Sequence, residues 1–291
     1  MSEFHSNFPS PQMMATSAPA PLPSEPTPKS EEMQVVIAGA TGYVGSTVLK
    51  RCLADASISR IHVLTRRPLS EETIAGEDAR RKVNVVMKTD WMVWEEGEME
   101  VIKGARACFW CIGGRHTQHS RWTPEEYLRV TVDYTAAATR AFAAMMKRER
   151  AMMPAQDDVF RFVYCSGDAS ELVYNRSLWI MGPTRRAKGC AEKTMFDIAD
   201  GSGGALESIT VRPCGIYPAR ETLWTWFLTR LVLPTLEVDQ LAATMVAVGK
   251  GGAGRTGRII FHEDIKKMGR EILGRGKGED GGMFLGGRRQ L

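Results

Sequence analysis

A chain of 291 residues, 43% of them apolar, is long enough to bury a sizeable core and has an ordinary globular composition. Its formal charge of +4, spread along the chain except near the C-terminus, weakly favours anionic small ligands and gives no argument for nucleic acid, so no nucleic-acid partner is expected. The longest strongly apolar run, Leu231 to Leu233, is far too short to cross a bilayer, so no integral membrane segment is expected.

Met1 to Lys29 is rich in Pro, Ser and Ala, carries Glu3 and Glu25, and has neither arginine nor an apolar stretch. That composition disfavours a secretory or mitochondrial address and predicts a disordered tail over 1–32. The six cysteines sit mostly in strand or helix patterns. They read as free thiols of a reducing compartment, with a cytoplasmic location as the default.

Gln34 to Ala38 reads as a buried strand. The helix after it places Val44, Val48, Leu49, Cys52 and Leu53 on one face. Ile61 to Thr65, Val83 to Met87 and Ala107 to Ile112 are the next strands. "TPEE" at Thr123 to Glu126 combines an N-cap threonine, a proline at the first helical position and a capping-box glutamate, and opens a helix to about Met146. Val159 to Cys165 and Ile209 to Arg212 are further strands, with a helix around Ala187 to Ala199 between them. Alternation of this kind predicts an α/β fold, a doubly wound parallel sheet of Rossmann-like type. The body is expected over 33–273, with a substrate-covering part at about 216–260 and a flexible, glycine-rich tail over 274–291.

Gly39, Gly42 and Gly45 form G-x-x-G-x-x-G between the first strand and its helix. The first glycine permits a tight turn, the second lets the backbone approach a pyrophosphate, and the third lets the helix pack on the sheet. Free N–H groups and the positive end of the helix dipole then face the phosphates. The loop residues Gly39, Thr41, Gly42, Tyr43, Val44 and Gly45 are therefore candidates for cofactor binding. Where an NAD binder places an acidic residue after the second strand, this chain has Arg66 and Arg67. Arginine there suits a 2′-phosphate and favours NADP(H); the alternative is a solvated basic pair.

Together with "VLTRRP", "KTDW", "CFWCIGG", "VTVDYT", "FVYCSGDAS", "RAKGCAE" and "VRPCGIYP", the "GATGYVG" loop resembles the short-chain dehydrogenase/reductase superfamily, of short-chain dehydrogenase type. The likeness runs over roughly Gln34 to Ala247 and is greatest to an atypical branch, the NmrA-like and Tat-interacting-protein-like NAD(P)-binding reductases. The resemblance implies Asp90 near the adenine, Gly113 near the nicotinamide-side ribose, and Pro213, Gly215 and Ile216 bordering the nicotinamide. It also implies that "LEVDQLAATMV" returns a helix to the core.

Active members of that superfamily use a Tyr-x-x-x-Lys pair and a serine. The tyrosine handles the proton at the substrate oxygen, and the lysine lowers its pKa and holds the ribose. Ser166 fits the serine, and Lys188 fits both the catalytic lysine and a cofactor contact. Four residues before Lys188 stands Thr184, a far weaker acid than a phenol, and Gly182-Pro183 is expected to interrupt any helix there. Tyr174, Tyr164 or a water relayed through Ser166 and Lys188 are the alternative proton sources, with Tyr174 the nearest in sequence.

Cys108 and Cys111 in "CFWC" would point to opposite faces of a strand and form no metal clamp or disulfide. His116 and His119 lack further metal ligands nearby, so no metal site is expected. Trp224, Trp226 and Phe227, near Arg230, could line a pocket for an apolar or aromatic molecule, or serve as core or as a contact surface. The function expected is an NADP(H)-dependent oxidoreductase of metabolite biosynthesis, a monomer or homodimer acting on a small organic carbonyl or alcohol, with aromatic or polycyclic metabolites as candidates. The alternatives are a redox-responsive dinucleotide-binding regulator or scaffold without turnover, and a nonredox isomerase or dehydratase.

Overall fold

The structure, a computed structural model, describes residues 33–113, 122–152, 159–168, 170, 182–217, 234–251 and 257–279. Strands β1 (Met33–Ala38), β2 (Ile58–Thr65), β3 (Val83–Met87), β4 (Ala105–Trp110), β5 (Phe160–Cys165), β6 (Leu206–Arg212) and β9 (Ile259–Phe261) form one sheet. Its order is β3-β2-β1-β4-β5-β6-β9, and every pairing is parallel. A separate parallel pair joins β7 (Gly215–Tyr217) to β8 (Thr235–Glu237).

The sheet is buried on both faces, so its strands read as continuous apolar runs. Along β1, Val35 and Ile37 enter one core, and Val36 and Ala38 enter the other. On the first face lie α1 (Tyr43–Ala54), α7 (Val238–Gly249) and α8 (His262–Glu279), which supply Val48, Leu49, Leu241, Met245 and Ile265. The second face takes Phe142 and Met146 from α5 (Tyr134–Met152), and Ala191 and Met195 from α6 (Gly182–Asp200). Trp110 and Phe162 of the sheet meet there with their ring centroids 5.6 Å apart.

The expected capping box is present. Thr123 accepts from the Glu126 N–H at 3.2 Å, and Glu126 accepts from the Thr123 N–H at 2.8 Å. The helix it starts is less regular than expected. A short α4 (Pro124–Leu128) passes through a π-helical turn, Arg129–Asp133, before α5 begins. Gly182 and Pro183 do not interrupt α6; they open it, because a proline in a first turn forfeits an N–H that has no helical partner.

The stretch expected to cover a substrate divides at Val238. Most of α7 is buried against the sheet, and β9 is the seventh strand, so the described residues from Val238 onward largely complete the core. The last helix runs into the glycine-rich stretch as far as Glu279. Among the described residues no helix is long and apolar enough to cross a membrane.

Candidate dinucleotide and active site

The strand order reverses at β1, which has β2 on one side and β4 on the other, so a crevice opens at the carboxyl ends of these strands. At that edge Gly39 has φ +86°, and a Cβ there would lie 3.0 Å from the main chain of Cys111. The Gly42 N–H donates to the Gly39 oxygen at 2.9 Å and closes the turn. A Cβ on Gly45 would stand only 2.1 Å from that same oxygen, which leaves no room for a side chain as the helix backs onto the turn. Gly42 is the N-cap of α1 and offers no side-chain oxygen to the first-turn N–H groups.

One strand over, Thr65 Oγ1 donates to the Arg67 oxygen at 2.8 Å and accepts from the Arg67 N–H at 3.2 Å. That fold of the chain leaves Arg66 and Arg67 exposed beside the glycine loop, since Leu64 pairs with Ala38. At the end of β3, Asp90 is exposed and Oδ1 accepts from the Met92 N–H at 2.8 Å. Its turn is held by Lys88, 1% exposed, whose ammonium donates to Val93 O at 2.7 Å and Glu98 Oε2 at 2.6 Å and lies over the Trp94 ring. Lys88 was not singled out from sequence; a lysine ending a buried strand just before an aromatic and acidic run was the available sign.

At the end of β5, Ser166 is buried, and its N–H donates to Val211 O at 2.9 Å. The Ser170 hydroxyl donates to Gly167 O at 2.7 Å, so the 2.8 Å bond between the two serine hydroxyls is donated by Ser166. Lys188 reaches from α6 and donates to the Ser166 main-chain oxygen at 2.9 Å. Burial pushes its pKa down, while Cys165 and Glu192 pull the other way. Beyond β6, Pro213 O accepts from the Asp168 N–H at 2.9 Å, and the Cys214 N–H donates to His262 Nδ1 at 3.1 Å. Gly215 approaches Thr235 so closely that a Cβ would come within 2.7 Å of its methyl group.

Ser166, Lys188 and the Pro213 loop are thus brought together from three elements, and Gly39, Arg66, Asp90 and Gly113 lie along the ends of β1 to β4. Cys108 and Cys111 face opposite cores, as strand alternation requires. Tyr174, Gly114, His116, His119, Trp224, Trp226, Phe227 and Arg230 lie outside the described residues. Thr184 is buried one helical turn before Lys188. Tyr127 is buried as well, and burial pushes its phenol's pKa up while the Thr184 and Thr131 side chains oppose that rise. Tyr164, weighed from sequence as a proton source, is fully buried, and burial drives its pKa well up. Tyr127 escaped the sequence reading, although its place just inside a capping box marks it as inward-facing.

The family model for the NAD dependent epimerase/dehydratase family matches residues 35–177. The chain is 27% identical over 175 residues to leucinostatins biosynthesis cluster protein T of Purpureocillium lilacinum, covering 60% of this chain and 55% of that protein. It therefore spans about half the length of that relative. Among solved structures, a short chain dehydrogenase of Burkholderia cenocepacia in complex with NADP superposes with TM-score 0.57 at 17% identity, over 86% of this chain and 94% of that one. DesIV, a dTDP-glucose 4,6-dehydratase of Streptomyces venezuelae with NAD bound, gives TM-score 0.56 at 16% identity, over 83% and 81%. Over residues 35–177 the chain is thus similar to the NAD dependent epimerase/dehydratase family, and its fold is the Rossmann-like α/β fold of short-chain dehydrogenase type.

Proposed function

We propose that this protein is an NADP(H)-dependent oxidoreductase acting on a small organic carbonyl or alcohol. The observation that carries the reading is the Lys188 ammonium fixed 2.9 Å from the Ser166 main-chain oxygen at the carboxyl edge of the sheet. A dinucleotide fits the residues of the crevice. Side chains at Gly39 and Gly45 would collide with backbone, and the N-cap of α1 leaves first-turn N–H groups without a side-chain acceptor. Arg66 and Arg67 supply guanidinium groups for a 2′-phosphate, and Asp90 lies toward the adenine end.

When bound, the nicotinamide supplies or accepts a hydride. Lys188 orients the ribose and raises the local positive potential, and the buried Ser166 hydroxyl steadies the substrate oxygen. The Pro213, Gly215 and Ile216 segment excludes water from the nicotinamide face. Six free cysteines fit a reducing compartment, in keeping with a cytoplasmic enzyme.

The test is calorimetric titration with NADPH and NADH, followed by loss of reduced-cofactor absorbance with a panel of quinones and ketones. Preference for NADPH and turnover of a panel member are the expected results. One observation favours a second reading: Thr184 holds the place of the customary tyrosine. Tight NADPH binding without turnover across the panel would indicate a dinucleotide-responsive regulator.

A further inference from the structure

An aliphatic hydroxyl is too weak an acid to stand in alone for the customary tyrosine. Two hydroxyls in series are a different matter, because each gives one proton while taking another and neither is left as an alkoxide. Such a series starts at Ser166. This residue is 3% exposed, its hydroxyl donates to Ser170 Oγ at 2.8 Å, and Ser170 is half-buried, so the line runs from the interior toward solvent. Main-chain bonds hold the segment in place. The Ser166 N–H donates to Val211 O and the Asp168 N–H to Pro213 O, each at 2.9 Å, and Lys188 Nζ donates to Ser166 O at 2.9 Å. Ser170 points two donors at one acceptor: its N–H lies 3.0 Å and its Oγ 2.7 Å from Gly167 O. The N–H alone closes that turn, so the turn does not account for the hydroxyl, and Gly167 O keeps a partner when the hydroxyl swings away.

We propose that Ser166 and Ser170 form the proton relay of this site, with Ser166 meeting the substrate oxygen and Ser170 a positioning residue that acts through it. The relay rests on the oxidoreductase reading above. For reduction both hydroxyls rotate, Ser166 toward the substrate oxygen and Ser170 from Gly167 O toward Ser166. The carbonyl carbon gains a C–H bond from the hydride, whose electron pair is that of the reduced nicotinamide, and the carbonyl π pair moves to oxygen. That oxygen takes the Ser166 proton, Ser166 Oγ takes the Ser170 proton, and Ser170 Oγ takes one from a solvent water, which leaves as hydroxide. Three O–H bonds break and three form. The Lys188 ammonium stands 3.5 Å from where a Cβ on Gly167 would lie, between the two serines in sequence, and its charge favours negative charge passing along their oxygens.

The test uses the full chain and its Ser170→Ala and Ser170→Thr variants, with phenanthrenequinone and the ketones of the panel as probes. A reduced ketone is an alkoxide that needs a proton before it leaves, whereas a reduced quinone leaves as a phenolate-like anion, of pKa about 10. Ser170→Ala should therefore lose about 10²-fold in kcat on ketones and stay within about twofold on the quinone, with Ser170→Thr recovering most of the ketone rate. A merely structural serine would cost both probes alike. Independently of turnover and cofactor, neutron diffraction from deuterium-exchanged crystals should place the Ser166 hydroxyl deuteron on the line to Ser170 Oγ. A deuteron off that line, equal losses on both probes, or a ketone rate untouched by Ser170→Ala overturns the relay and leaves the oxidoreductase reading standing. So does a wild type that reduces quinones alone. NADPH binding without turnover by the wild type removes that reading and the relay with it.

Discussion

Arg212 of β6 grips Glu192 of α6 in the interior, its Nε donating to the two carboxylate oxygens at 3.1 and 3.2 Å. Glu192 is fully buried and Arg212 is 6% exposed. Because Glu192 follows Lys188 by one turn, the pair fixes the rotation of the helix that presents Lys188. Glu192→Ala strands a guanidinium in the core and should lower stability by about 3–5 kcal/mol, measured by urea unfolding. Replacing both residues with methionine should recover much of that loss.

Two glycines at the same edge should differ sharply in what a side chain costs. Gly45→Ala places a Cβ against the Gly39 oxygen and is expected to lower stability by about 3 kcal/mol or more and to abolish dinucleotide binding. A Cβ at Gly113 meets nothing within 4 Å, so Gly113→Ala should change stability by no more than about 0.5 kcal/mol. Thermal unfolding of the two variants side by side checks the contrast.

Arg66→Ala should weaken NADPH by about 10- to 100-fold and leave NADH nearly unchanged, because only the former carries the 2′-phosphate. Equal losses for both, read by calorimetry, would take the 2′-phosphate role away from Arg66.

Lys188→Met keeps much of the stem volume and removes the charge. Turnover should fall by about 10²-fold or more while the fold, judged by circular dichroism, is retained. A variant with wild-type kcat would show that the lysine does no chemistry.

His62 gives the fold a pH dependence. It is 4% exposed; Nε2 donates to Gln34 Oε1 at 3.2 Å, and Nδ1 accepts from Asn84 at 3.1 Å. Burial, assisted by the charge of Arg60, pushes its pKa from 6.5 down to about 4. The unfolded chain takes up the proton first, so stability should fall by about 2–3 kcal/mol as pH drops through that window and be insensitive to this residue above it. His62→Asn should flatten the difference between urea melts at about pH 7 and about pH 4.5.

The strand-turn-helix around Gly39 was legible because glycine spacing, a buried strand and a helical face all fall within twenty contiguous residues. Ser166 and Lys188 were legible through local motifs, although the bond between them closes over 22 residues. The β7–β8 pair and β9 were missed. Each is three residues long, too short for a periodic pattern to stand out from its surroundings. The π-helical turn was missed for a different reason: side-chain periodicity does not register one extra residue in a helical turn.

The amino-acid order by itself determined the parallel sheet, the glycine turn and the basic end of the second strand, since each follows from near-neighbour sterics and burial. Only the tertiary structure decided that Arg212 meets Glu192, that the buried Lys88 ammonium lies over the Trp94 ring, and that the described residues from Val238 onward largely complete the core. Those relations join residues from separate elements, and their partners are set by how helices seat on the sheet rather than by any local pattern.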